Sequence, residues 1–207
     1  MRRMTLGKIG LVGLLALPLL APTCVEERVV DLVLGGMTTT AFEARGSVNA
    51  IDDAATHDLA AEVDLNAILS ENGVSVDDIR SIRVSGISYR ITSPDPNPAR
   101  EVNGALVTLA RDGGPVVNLV VGLDAPAGIG TDWIDVMDLL DSDGVDLLNG
   151  ALADVLTAAQ LGASPAVSIT YSVTGASLPT GEETNFDWEL GVSLHIVGGV
   201  AVDVPVF

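Results

Sequence analysis

The feature that most constrains the fold is a strict alternation of apolar and polar residues near the C-terminal end. The apolar positions are Phe186, Trp188, Leu190, Val192, Leu194 and Ile196, and the polar residues between them include Asp187, Glu189, Ser193 and His195. A period of two places the two sets on opposite faces of a β-strand. The segment 167–174 repeats this pattern with Ser and Thr at the polar positions. Strands with one buried and one solvated face are typical of antiparallel sheets.

Similar patterns predict strands over 25–34, 38–50, 57–65 and from about Arg80 to Ile91, a hairpin of 102–111 with 115–123, and a last strand over 200–206. The strand after Arg80 changes phase, because Ile82 is even and Ile87 is odd. We therefore expect a β-bulge near Ser85-Gly86, which keeps both sets of side chains in the core. The hairpin turns over Asp112-Gly113-Gly114.

Glycine pairs and prolines predict the other turns. Gly35-Gly36 is interpreted as the turn between the first two strands. Val197-Gly198-Gly199 is interpreted as a three-residue turn with glycine in the left-handed conformation, since this spacing puts the apolar residues of both flanking strands on one face. The segment 93–98 contains three prolines, which lack the N–H that a strand needs, and it predicts an exposed loop.

Two helical regions interrupt the strands. Asp64 could cap a short helix over 65–71, which Asn72-Gly73 would end. A helical insertion is expected within 125–162, with Asp132 capping a helix over 133–140 and Asp143 capping a longer helix that reaches Gln160. The longer helix has an apolar stripe formed by Leu148, Ala151, Leu152, Val155, Leu156 and Ala159. Such a stripe is wide enough to pack on a sheet or to close one end of a sandwich.

About nine strands, with helices only near 65–71 and 132–161, predict a mainly all-β chain. We expect a single antiparallel β-sandwich over residues 24–207, immunoglobulin-like in a loose sense.

The first 23 residues have the order of an export signal. Basic residues at Arg2, Arg3 and Lys8 precede an apolar run over 9–21, which is too short to span a bilayer permanently. Cys24, the only cysteine, follows at the expected cleavage point, and this arrangement resembles the signal of bacterial lipoproteins. That resemblance implies a lipid anchor on Cys24 in the periplasm or the outer membrane. Ordinary cleavage that leaves a free thiol, or a secreted form, is the alternative.

The charge of the chain excludes one class of partner. Removing the leader takes three of the ten basic residues, so seven remain against 28 acidic residues, a formal net charge of −21 without one lysine. Binding to a polyanion needs clustered Lys and Arg, so we do not expect a nucleic-acid partner. High acidity also has non-functional origins, in habitat or in coding bias.

The sequence contains no strong catalytic motif. His57 and His195 are the only histidines, and no G-x-S-x-G elbow accompanies them. His57 is in the apolar phase of its segment, which favours a hydrogen-bonded core histidine. Asp141, Asp143 and Asp146 form the best candidate for a Ca²⁺ site, because they are hard oxygen ligands in a glycine-containing loop. The alternative is that Asp143 caps the following helix.

The residues therefore favour a non-catalytic domain of the cell envelope, which binds a partner protein, a glycan or a neighbouring copy. A carrier of an apolar or lipid ligand, held between the sandwich and the helix over 145–160, is the second hypothesis. A Ca²⁺-dependent module or hydrolase that uses the loop 141–146 is the third.

Overall fold

A computed structural model of the chain describes residues 25–63, 65–163 and 166–205. Within these residues the strands are β1 (Val25–Val48), β2 (Ala50–Asp58), β3 (Ile79–Ser93), β4 (Glu101–Arg111), β5 (Val116–Pro126), β6 (Ile134–Asp135), β7 (Ser168–Leu178) and β8 (Glu183–Pro205). The α-helices are α1 (Leu59–Glu62), α2 (Leu65–Glu71) and α3 (Ser142–Gln160), and short 3-10 helices cover Val76–Asp78 and Met137–Leu139.

The strands form two four-stranded sheets in the orders β1-β8-β3-β6 and β2-β7-β4-β5. The register of the pairs β2–β7, β3–β6, β3–β8, β4–β5 and β4–β7 is antiparallel. The predicted antiparallel β-sandwich is therefore confirmed. The order specifies which sandwich it is: strand 1 pairs with 8, 2 with 7, 3 with 6 and 4 with 5, which is the arrangement of an eight-stranded jelly roll.

The chain divides into two compact units. Residues 29–200 form the larger unit, which holds the core. The described residues of the other unit are 25–28 and 201–205, the ends of β1 and β8. No α-helix in the described ranges is long and apolar enough to span a membrane.

The inner faces of the two sheets supply the core. Every second residue of β8 from Phe186 to Ile196 is buried, as the alternation predicts. The ring of Phe42 on β1 stacks on Trp188 with a centroid distance of 4.6 Å. The predicted stripe of α3 is buried from Leu148 to Leu156. Aliphatic side chains thus fill most of the space between the sheets.

Two predicted turns are wrong, because β1 and β8 are uninterrupted strands. Gly35 and Gly36 lie within β1, and Gly198 lies within β8 opposite Ile79. At Gly198 a glycine is needed for close packing, since a Cβ there would come within 2.6 Å of the carbonyl oxygen of Asp78. The separate strands over 38–50 and 200–206 therefore do not exist as predicted. The first of them is part of β1, and the second continues β8.

The other errors concern helix positions. The predicted strand over 57–65 contains α1, whose N-terminus is capped by Asp58. The predicted helix over 133–140 is replaced by β6 and a 3-10 turn. The cap of α3 is Asp141, whose carboxylate accepts a hydrogen bond from the N–H of Asp143 at 3.0 Å. Asp64, the predicted cap of α2, lies outside the described residues.

Other local predictions are confirmed. The register of β3 against β8 shifts between Val84 and Gly86, where the bulge was expected. Asp112 and Gly113 have positive φ angles in the turn between β4 and β5, as a two-residue hairpin turn requires. α2 covers the predicted residues Leu65–Glu71, and Gly73, two residues after its end, has a φ of +67°.

Candidate functional site

The outer edge of β1 is the candidate site. Among the strands of the described residues, β1 is the terminal strand of its sheet, and β8 is its only hydrogen-bonded neighbour. Exposure alternates without a break from Asp31 to Ala44, so this segment contains no bulge. The N–H of Glu43 donates to Asp53 of β2 at 2.8 Å, so the backbone groups of Glu43 point away from β8. Because these directions alternate, the odd residues from Asp31 to Ala41 also present their N–H and C=O groups at the open edge.

An open edge normally carries a device that prevents pairing with another chain, such as charge, a bulge or a covering segment. Between Leu32 and Phe42 the sequence LVLGGMTTTAF contains neither a charged residue nor a proline. Val33 is exposed over 61% of its surface and Met37 over 43%, and both lie on the solvent face of β1. The terminal methyl of Met37 lies over Gly191 of the neighbouring strand β8. This part of β1 is therefore competent to accept an additional strand.

The edge of β2 differs because it is acidic. Asp52, Asp53 and Asp58 occupy three of its nine positions. The carboxylate of Asp53 also caps the N–H groups of Glu43 and Ala54 at 2.8 Å each. These charges oppose the approach of another acidic chain. The hydrogen bond from the N–H of Ala54 to Asp53 also occupies a backbone donor of β2 that strand pairing would need.

The edge of β5 is covered by the chain that leads into α3. Leu140 forms a β-bridge with Val120. The N–H of Asp141 donates to the carbonyl oxygen of Leu119 at 3.0 Å. The middle of β5 is consequently closed to further pairing.

The remaining edge belongs to β3, because β6 pairs with it only at Ser88 and Tyr89. α3 covers the part before them. Its residue Asn149 accepts a hydrogen bond from the N–H of Val84 at 2.8 Å, and Gln160 donates to the carbonyl oxygen of Ile79 at 2.9 Å. Two side-chain amides thus satisfy backbone groups that a longer β6 would have bound.

The three candidate Ca²⁺ ligands lie at the start of α3. Asp141 is engaged as the helix cap, while Asp143 and Asp146 are exposed. No group of three or more His, Cys, Asp or Glu residues suited to a metal occurs in the described part of the chain. Cys24, the candidate lipidation site, lies outside that part.

His57 is half-buried at the end of β2. Its Nδ1 forms an ion pair with the carboxylate of Glu62, and its ring meets Tyr171 edge-on with a centroid distance of 6.0 Å. Nε2 of His57 is buried without a hydrogen-bond partner. Burial raises the pKa of the Glu62 carboxyl above its ordinary value, and the charge of His57 opposes part of that rise. The pKa of the Tyr171 phenol is raised by burial and by the charge of Glu62.

Two spaces could hold the apolar ligand of the second hypothesis, and one of them is too small while the other is polar. Between the sheets the cavity beside Trp188 and Phe186 measures about 10 Å³, which is about the room for one water molecule. The open groove between α3 and β3 measures about 550 Å³, but Arg83, Asp146 and Asn149 are among the residues that line it. In the described residues, neither space is a preformed apolar cavity for an acyl chain.

Sequence reasoning missed a buried ion pair in the predicted exposed loop 93–98 and just beyond it. Asp95 and Arg100 are almost fully buried, and Nε of Arg100 lies 3.3 Å from Oδ2 of Asp95. The guanidinium also donates to Ser177 and to the carbonyl oxygens of Pro179 and Glu183. The pair therefore joins the loop after β3 to the connection between β7 and β8, and its role is structural.

Comparison with known proteins assigns no family. No protein-family model and no curated protein matches the chain significantly. Among solved structures, a chain from Desmodium yellow mottle tymovirus is similar, with 9% sequence identity over 96% of both chains and a TM-score of 0.32. A TM-score of this size gives no basis for transferring a fold or a function.

Proposed function

We propose that this chain is an exported, non-catalytic β-sandwich module of the cell envelope that binds a partner protein by adding a strand to β1. The observation that carries the proposal is the open edge from Leu32 to Ala41, which has no charge, proline or covering segment among the described residues, although the other three sheet edges are covered or acidic. The envelope location rests on the leader over 1–23 and on Cys24.

Strand addition suits this edge for a physical reason. Backbone hydrogen bonds supply affinity in this mode of recognition, and side chains on alternate positions supply specificity. The odd residues of β1 present both the backbone groups and the exposed side chains of Val33 and Met37. A partner strand would therefore gain hydrogen bonds of about 1 kcal/mol each and would cover apolar surface at the same time.

The non-catalytic part of the proposal is supported by the engagement of the ionisable groups. His57 is paired with Glu62, Asp95 with Arg100, and Asp141 caps α3. These contacts stabilise the fold, and they account for the positions of these ionisable side chains without any role in binding a substrate.

The test is crosslinking in the native envelope. A photoreactive residue at Gly35, where a side chain would meet no atom within 4 Å, should yield a protein adduct, and the same residue at the exposed Val116 of β5 should not. Peptide mapping should place the crosslink in one extended segment of the partner.

A proline pair provides the matched control for the same experiment. Val33→Pro removes an N–H at the open edge and should abolish the adduct while the protein stays folded. Leu34→Pro removes an N–H that faces β8 and should lower the melting temperature instead. An adduct that survives Val33→Pro, or the absence of any adduct at position 35, would refute strand addition.

A further inference from the structure

The occupant of the open edge can be named from the charge of the chain. This inference rests on the proposed function and identifies the partner. A partner chosen by charge would meet complementary charges along the edge, but the eleven residues from Leu32 to Phe42 have none. In a mature chain of net charge −21, this segment is where a strand of the same chain can approach without facing a carboxylate.

The segment is also complementary to itself. In an antiparallel pair about a twofold axis, odd residues must face odd residues, because the odd ones carry the edge-facing groups. When Gly35 faces Gly35 of the second copy, Val33 faces Met37 and Asp31 faces Thr39. This register joins the two exposed apolar side chains twice, once on each side of the axis.

Two neighbouring registers form less favourable pairs of side chains. The register in which Met37 faces its own copy places Asp31 opposite Glu43, which opposes two carboxylates. The register between the two, in which Gly36 faces itself, places Val33 opposite Thr39 and forms no pair of large apolar side chains. Of these three registers, sequence and edge geometry favour the one centred on Gly35.

We infer that the chain forms a symmetric homodimer by antiparallel pairing of β1 with β1 of a second copy, in the register in which Gly35 faces Gly35. The two four-stranded sheets that contain β1 then join into one sheet of eight strands. Each copy covers the backbone groups and apolar side chains that the other leaves open.

Sedimentation of the purified full chain measures the association directly, with Cys24→Ser to exclude unrelated disulfides. We expect a monomer–dimer equilibrium that shifts toward dimer as NaCl rises from about 0.02 M to about 0.5 M, since salt screens the repulsion between two acidic copies. Association with an oppositely charged partner would weaken with salt. A chain that stays monomeric at about 100 μM at both salt concentrations would overturn the inference.

Charge variants test the register. Val33→Lys should weaken the dimer at least tenfold, because the lysine replaces an apolar contact with Met37. The double variant Val33→Lys/Met37→Glu should restore it, because the two new charges meet across the axis and lie too far apart within one strand. Val116→Lys on β5 is the control and should leave the dimer unchanged. Equal dimerisation of all three variants would refute the register.

A cysteine at the axis makes the test independent of these variants. Gly35→Cys in the Cys24→Ser background should form an intermolecular disulfide under mild oxidation, while Val116→Cys should not. If crosslinking at position 35 captures a different protein while the chain stays monomeric, the proposed function stands and the inference of a second copy falls. If position 35 captures nothing, both fall.

Discussion

The buried pair of Arg100 and Asp95 allows the most specific prediction of stability. The side chain of Arg100 is only 1% exposed. It donates to Asp95 at 3.3 Å, to Ser177 and the carbonyl of Pro179 at 3.1 Å each, and to the carbonyl of Glu183 at 2.9 Å. Arg100→Met retains much of the aliphatic volume but removes these four hydrogen bonds.

The magnitude follows from what remains at Asp95. Removing one partner of a buried ion pair costs about 3–5 kcal/mol, because the other charge stays buried. The carboxylate of Asp95 keeps two N–H donors, from Asn97 at 2.9 Å and from Asn185 at 2.8 Å. We therefore expect Arg100→Met to lower the free energy of unfolding by about 3 kcal/mol, the lower end of this range. In a chain of this size the melting temperature should fall by about 6–12 °C.

Urea unfolding of the wild type, Arg100→Met, Asp95→Asn and the double variant measures this free energy. The double variant should lose less unfolding free energy than the two single variants lose together, because it leaves no unpaired charge in the core. Arg111→Met is the control, since Arg111 is 31% exposed and pairs with Asp112 and Asp154 on the surface, and it should lose less than about 1 kcal/mol. Equal losses for Arg100→Met and Arg111→Met would refute the reasoning.

Two further predictions concern a carboxyl group and a glycine. The raised pKa of Glu62 means that its stabilising contribution is complete below the unfolded value of 4.5 and is lost as pH rises through the folded value. Glu62→Gln should therefore gain stability relative to the wild type as the pH rises from about 4 to about 6. A constant difference in thermal melts across that range would contradict this. Gly198→Ala should destabilise by about 1–3 kcal/mol, because its Cβ would meet the carbonyl of Asp78, whereas Gly35→Ala meets no atom within 4 Å and should not destabilise. Equal denaturation midpoints for the two alanine variants would contradict the close packing at Gly198.

The strands and the bulge were predictable because they depend on local alternation. The change of phase between Ile82 and Ile87 requires an extra residue wherever both must be buried, and the register shift at Val84 follows from it. The same logic, applied to Gly35-Gly36, argues against a turn. Leu34 and Thr38 have the same parity, so an uninterrupted strand keeps both on one face.

Long-range contacts were not predictable from local patterns. Asp95 lies among prolines, where an exposed carboxylate is the ordinary expectation. Its burial depends on Arg100, on backbone groups near Pro179 and on Asn185, and these residues come together only after β7 has paired with β4 and β8 with β3. The cap of α3 was missed by two residues for a related reason, since Asp141 also donates its N–H to β5.

The open edge could be recognised only from the order of the strands, because alternation alone does not distinguish a terminal strand from a central one. Once β1 is known to be terminal, the absence of charge from Leu32 to Phe42 requires an explanation. Folding does not supply it, since Val33 points to solvent and a lysine there would meet no core residue. Val33→Lys should therefore leave the melting temperature of the monomer unchanged while it weakens the dimer. Because a protective charge is compatible with the fold, its absence supports the proposed strand pairing.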